Sequence, residues 1–130
     1  MDIDHIGYAV KRLDRAVRSF EALGFSFEDV IDDTDRNIKI QFGENQGYRI
    51  ELVTPLDKSK GSPVDAFLSK VGPTPYHICY ISADLDAEIE NLKKQGFKTM
   101  IEPKKAVAFD GKRVVFMMDL GQGLMEIVEK

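Results

Sequence analysis

The chain is poor in metal-binding and redox residue types: among 130 residues there is one cysteine, Cys79, and two histidines, His5 and His77. A single thiol excludes an internal disulfide and a multi-cysteine metal site, and it suits a reducing compartment. No stretch approaches the ~20 consecutive apolar residues of a membrane-spanning helix. Residues 1–10 alternate charged and apolar from the start, without the basic-then-apolar order of a secretory leader. The expected location is therefore cytoplasmic, away from a membrane. A basic stripe is also missing, since Lys104-Lys105 is the nearest candidate and the formal net charge is −4. That balance disfavours a nucleic-acid partner and leaves small molecules as the expected ligands. Hydrophobic residues make up 43% of the chain and charged ones 31%, enough apolar material for a packed core in one compact domain.

The sequence does contain a repeat. At an offset of 72, His5-Ile6-Gly7-Tyr8 falls on His77-Ile78-Cys79-Tyr80, Leu13-Asp14 on Leu85-Asp86, and Gly24-Phe25 on Gly96-Phe97. Seven identities in 21 positions exceed the roughly one or two that average residue usage produces. Each copy opens on a strand rich in β-branched and aromatic residues, 3–10 and 75–82. Leu13, Val17, Phe20 and Leu23, and then Leu85, Ile89 and Leu92, recur at helical spacing, and Gly24 or Gly96 supplies a left-handed stop. Three strand-like runs follow each stop, near 25–31, 36–42 and 47–54, then 97–101, 113–118 and 123–129. Gln46-Gly47 and Gln122-Gly123 mark the last turn of each copy. The order is βαβββ twice: a first module over 1–54, a linker with one short helix started at Pro63 over 55–74, and a second module over 75–130.

Strand parity singles out four residues. His5 shares a face with Ile3, Gly7 and Ala9, while the bulkier Ile6, Tyr8 and Val10 point the other way, toward the helix. His77 lies beside Cys79 and Ile81. Glu51 and Glu126 are lone carboxylates in otherwise apolar closing strands, and a buried ionised carboxylate is costly unless it is paired or metal-bound. Taken singly, each has a plainer reading. A strand histidine is more often a hydrogen-bonded core residue, Glu51 could pair with Arg49, and Glu126 could mark an exposed edge. The four are not independent, because both histidines fall at matching repeat positions and the glutamates lie 75 apart, at near-matching ones. Together they read as ligands of one divalent metal ion, Ni, Co, Mn, Zn or Fe, which two imidazoles and two carboxylates do not distinguish. Cys79, a small strand thiol, reads as packing.

With Asp4-His5-Ile6-Gly7-Tyr8-Ala9-Val10, Ile50-Glu51-Leu52-Val53-Thr54-Pro55-Leu56, Tyr76-His77-Ile78-Cys79-Tyr80 and Leu124-Met125-Glu126-Ile127, the chain resembles the vicinal-oxygen-chelate superfamily. This group, of the glyoxalase/bleomycin resistance fold, includes glyoxalase I and methylmalonyl-CoA epimerase. The resemblance implies an α+β fold in which two βαβββ modules form curved, half-barrel mixed sheets with helices outside. It places metal ligands at His5, Glu51, His77 and Glu126. The second carboxylate sets the chain apart from the two-histidine, one-carboxylate extradiol dioxygenases. What the resemblance then implies is a glyoxalase I type (lactoylglutathione lyase-like) enzyme. Such an enzyme removes a proton next to a carbonyl while the metal stabilises the enediolate, with Glu126 as first choice of base and Glu51 as second. The alternatives are a methylmalonyl-CoA epimerase-like enzyme or a non-catalytic binding protein for a drug or metabolite. For the epimerase, the family's extra carboxylate comes from the third strand, where Lys39 and Gln41 are expected inward. Arg49 is a candidate for binding a substrate carboxylate or phosphate. The resemblance also implies a homodimer.

Overall fold

The computed structural model describes residues Met1–Lys130. The chain folds into nine strands and three helices, of the α+β class. It divides into two units, His5–Tyr76 and His77–Lys130, the latter joined by Met1–Asp4.

In the first unit β1 (Asp2–Ala9) leads into α1 (Leu13–Glu21), followed by β2 (Ser26–Phe27), β3 (Ile31–Asp33), β4 (Ile38–Asn45) and β5 (Tyr48–Pro55). The last strand runs parallel to β1, with Gly7 across from Glu51. It runs antiparallel to β4, with Phe42 across from Glu51. Val10, Ile50 and Leu52 form a buried cluster onto which Tyr8, Leu13, Ala16, Val17 and Phe20 pack. The Tyr8/Val10 face of β1 thus meets the helix, as parity requires. Leu23 departs from its expected place in the stripe: the helix stops at Glu21, and Leu23 is 72% exposed. Gly24 then takes φ +102°, a region other residues enter at a cost, and the Phe25 N–H donates back to the Phe20 carbonyl at 3.1 Å.

The expected strand over 25–31 is broken in two. Phe27 packs its ring over Gly43, so closely that a Cβ there would lie 2.4 Å from Phe27 Cε1. The chain then leaves the ladder, with the Glu28 carbonyl taken by the Gln41 side-chain amide at 2.8 Å, and re-enters it at Ile31. Asn37, at φ 55°, ties the linker down: its amide donates to the Asp57 carbonyl at 3.0 Å and accepts from the Asp57 N–H at 2.8 Å. The linker helix, α2 (Asp65–Lys70), opens on Asp65, whose carboxylate accepts from the Ser62 hydroxyl at 2.6 Å and the Ser62 N–H at 2.8 Å.

The second unit repeats the plan with β6 (Thr74–Ser82), α3 (Leu85–Lys94), β7 (Lys98–Lys105), β8 (Arg113–Asp119) and β9 (Gly123–Glu129). A one-turn 3-10 helix at Val107–Phe109 joins β7 to β8, and β7 runs four residues past the expected end through two register shifts. Leu85, Ile89 and Leu92 are buried against Val115, Met117, Met125 and Ile127. Asp84 caps α3 by accepting the Ala87 N–H at 3.1 Å, and Gly96 closes it at φ +97°.

Candidate metal centre

In the first unit, β1 presents His5 and β5 presents Glu51 from its parallel neighbour. His5 Nε2 lies 3.6 Å from a Glu51 carboxylate oxygen, with the two residues 1% and 4% exposed. In the second unit β6 presents His77 and β9 presents Glu126, Nε2 to carboxylate oxygen 3.0 Å, at 4% and 3% exposure. Each histidine sits two residues before the partner of its glutamate: Gly7 faces Glu51 and Cys79 faces Glu126. The longer chain between the opening and closing strands of the second copy accounts for the glutamate offset. Thus the structure brings each predicted histidine to its predicted glutamate, by the same register in both copies.

A third residue completes each pair, one that sequence reasoning passed over. Phe42 on β4 lies directly across from Glu51, and its ring meets the His5 imidazole edge to face at 5.5 Å between centroids. Phe116 on β8 lies directly across from Glu126 and meets His77 in the same way at 5.4 Å. The signal was present in the sequence, since Phe-Gly-Glu-Asn-Gln-Gly and Phe-Met-Met-Asp-Leu-Gly-Gln-Gly precede the closing strands. An aromatic edge contact of this kind holds a ring's tilt while adding no competing hydrogen-bond donor.

Arg49 shares the Glu51 face of β5, and its guanidinium carbon stands 4.0 Å from the centre of the Phe42 ring. The corresponding position before Glu126 is Leu124, so this cation belongs to the first unit alone. Lys39 and Gln41 do not take the inward positions expected of them. Residues paired across an antiparallel ladder share a face, and these two pair with Thr54 and Leu52, the side opposite Glu51. Ile38, Ile40 and Phe42 occupy the site face instead, which makes that wall apolar. Cys79 is fully buried with Ala106, Val114 and Val128, in keeping with packing.

Nitrogen and carboxylate donors directed at each other in each pair fit a divalent metal of borderline hardness. They also answer the cost of burying two carboxylates, which an ion offsets.

Residues 4–116 match the Glyoxalase/Bleomycin resistance protein/Dioxygenase superfamily. The chain belongs to that superfamily. It is 30% identical over 118 residues to the ethylmalonyl-CoA/methylmalonyl-CoA epimerase of Cereibacter sphaeroides, covering 88% of this chain and 86% of that one. The human mitochondrial methylmalonyl-CoA epimerase is 26% identical over 129 residues, 96% of this chain and 72% of its own. The crystal structure of methylmalonyl-CoA epimerase from Mycobacterium tuberculosis superimposes with a TM-score of 0.84 at 31% identity, covering 98% of this chain and 87% of that chain. The α+β glyoxalase-like fold expected from the sequence is therefore observed. These relatives accord with the epimerase alternative better than with a lactoylglutathione lyase. No helix is long and apolar enough to cross a membrane.

Proposed function

We propose that the protein is a metal-dependent epimerase that inverts the carbon next to the thioester carbonyl of a small acyl-CoA, with His5, Glu51, His77 and Glu126 together holding one divalent ion. The observation that carries this reading is the pair of buried His/Glu couples built by one register in two copies, in a chain whose relatives bear epimerase names.

When bound, the ion supplies Lewis acidity toward a carbonyl oxygen, which makes the neighbouring C–H acidic enough for a carboxylate to take. Epimerisation needs a proton taken from one side of the carbon and returned on the other. Two carboxylates on separate modules answer that need: Glu126 takes the proton and Glu51 governs its return. Phe42 and Phe116 hold the imidazoles and keep the site walls dry, which strengthens each polar interaction within. Arg49, held over Phe42, receives the anionic end of the substrate, a geometry suited to a carboxylate.

The test is α-proton exchange. Metal-loaded protein in deuterated water should wash label into methylmalonyl-CoA at the carbon between its two carbonyl groups and invert it, and E126Q should abolish both. Absence of exchange with any 2-acyl thioester, together with exchange on the hemithioacetal of methylglyoxal and glutathione, would instead favour the lyase. A binding protein is separated by metal content after purification without chelators, since it needs no stoichiometric ion. Homodimer assembly and a cytoplasmic location belong to the same reading, the first tested by sedimentation equilibrium.

A further inference from the structure

Beside α1 the first unit holds a cleft of about 530 Å³, within the size range of small-molecule sites. Tyr8, Val10, Ala16, Phe20 and Leu23 form its floor, and Lys11, Arg12 and Arg15 stand on its rim with no acidic side chain among the lining residues. In a chain of net charge −4 that concentration of cations is local. Asp14 holds Arg12 at 3.1 Å and Arg18 at 3.6 Å but does not itself line the cleft.

The repeat supplies an internal control. At the offset of 72, Lys11, Arg12, Arg15 and Leu23 correspond to Ala83, Asp84, Ala87 and Gln95. Asp84 caps its helix, whereas Arg12 offers α1 no side-chain cap. Leu85, Ile89 and Leu92 of α3 are buried, while no residue of α1 is. The second copy carries a cleft of about 520 Å³ at the corresponding place, but Ser82, Asp84, Glu88 and Asn91 make its lining polar and acidic. The fold supplies the cleft in both copies, and the basic rim over an apolar floor belongs to the first alone.

We infer that this cleft binds a medium-chain fatty acid, its tail along Tyr8, Phe20 and Leu23 and its carboxylate among Lys11, Arg12 and Arg15. An apolar trough beneath a cationic rim complements a single-chain anion: each methylene withdrawn from water adds about fourfold in affinity, and guanidinium groups match a carboxylate bidentately. Tyr8 and Val10 lie on the face of β1 opposite His5, so the site is separate from the metal centre and does not depend on the epimerase reading.

Calorimetric titration of the full chain with decanoate should show one equivalent bound. Octanoate should bind about sixteenfold more weakly, and 1-decanol, which lacks the charge, at least tenfold more weakly. R12Q/R15Q should weaken decanoate at least tenfold and leave 1-decanol unchanged, while A16F should block both. Should the double variant not fold, K11Q alone should weaken decanoate several-fold. Undiminished decanoate binding by the folded cation variants would overturn the inference. So would the absence of decanoate binding, whether a second copy covers the cleft, shown by sedimentation, or phosphatidylglycerol vesicles alone are bound.

Discussion

The sharpest test of the buried carboxylates is to neutralise one and ask whether the sign of its effect depends on metal. Consider E126Q. Glutamine keeps the shape and an acceptor oxygen beside His77 Nε2, now 3.0 Å from the carboxylate. If Glu126 exists to meet a metal ion, the metal-free protein gains from losing a buried charge and loses part of one hydrogen bond, so its stability should change by under about 1 kcal/mol. If instead Glu126 is a structural ion-pair partner of His77, the change breaks a buried pair and costs about 3–5 kcal/mol. For 130 residues the unfolding entropy is about 270 cal/mol/K, so each kcal/mol moves Tm by about 4 °C. The two accounts therefore differ by at least about 8 °C in metal-free protein. A divalent ion at one hundred times its Kd adds about 2.7 kcal/mol, or about 10 °C, and E126Q should remove most of that gain. Scanning calorimetry of wild type and variant, with and without Co²⁺ or Mn²⁺, reads all four quantities. A large loss in the metal-free protein with an undiminished metal-induced rise would refute the reasoning.

Other outcomes follow from the same structure. G43A should destabilise by about 1–3 kcal/mol in urea unfolding, because the new Cβ enters the Phe27 ring; a paired F27L change should recover much of it. R49A should raise KM for a carboxyacyl thioester several-fold while lowering stability by about 1–2 kcal/mol, the range of a partly buried cation–π contact; an unchanged KM would leave it as a prop for Phe42. Arg113 joins Glu129 and Asp86 on the second unit, at 3.0 and 3.1 Å. The Arg113 backbone N–H and guanidinium hold the Glu129 carboxyl below its usual range, and the Arg113 side chain does the same for Asp86. Groups depressed in the folded state stabilise it above their unfolded pKa values and lose that contribution as pH falls through the folded ones. The stability difference between wild type and R113A should therefore be constant near neutrality and shrink as pH drops below roughly 4. A difference that instead widened in acid would contradict the assignment.

Much of this was legible in one dimension because the chain carries its own control. A histidine inside a strand is ambiguous, but His5 and His77 at matching positions of a repeat, each with a glutamate in the closing strand, constrain one another. The paired Gly24-Phe25 and Gly96-Phe97 stops were readable for a local reason: a left-handed residue ends a helix whatever surrounds it. The misread elements were those settled by contacts distant in sequence. Lys39 and Gln41 were expected inward from the family's third-strand carboxylate position, and the register with β5 turns them away from Glu51. The run over 25–31 looked continuous, but Phe27 closing over Gly43 draws the chain out of the ladder. Leu23 fits a helical stripe in spacing, yet α1 ends two residues earlier.

The sequence by itself determined the repeat, the order of elements within each copy and which four polar side chains stand in apolar strands, because periodicity and composition are local properties of a chain. Only the tertiary structure decided that each imidazole meets its glutamate across a parallel ladder, that Phe42 and Phe116 face those same glutamates, and that the cleft beside α1 is apolar with a cationic rim where its counterpart beside α3 is polar and acidic. Those outcomes depend on strand register, and a shift of one residue would turn every side chain to the other face of its sheet.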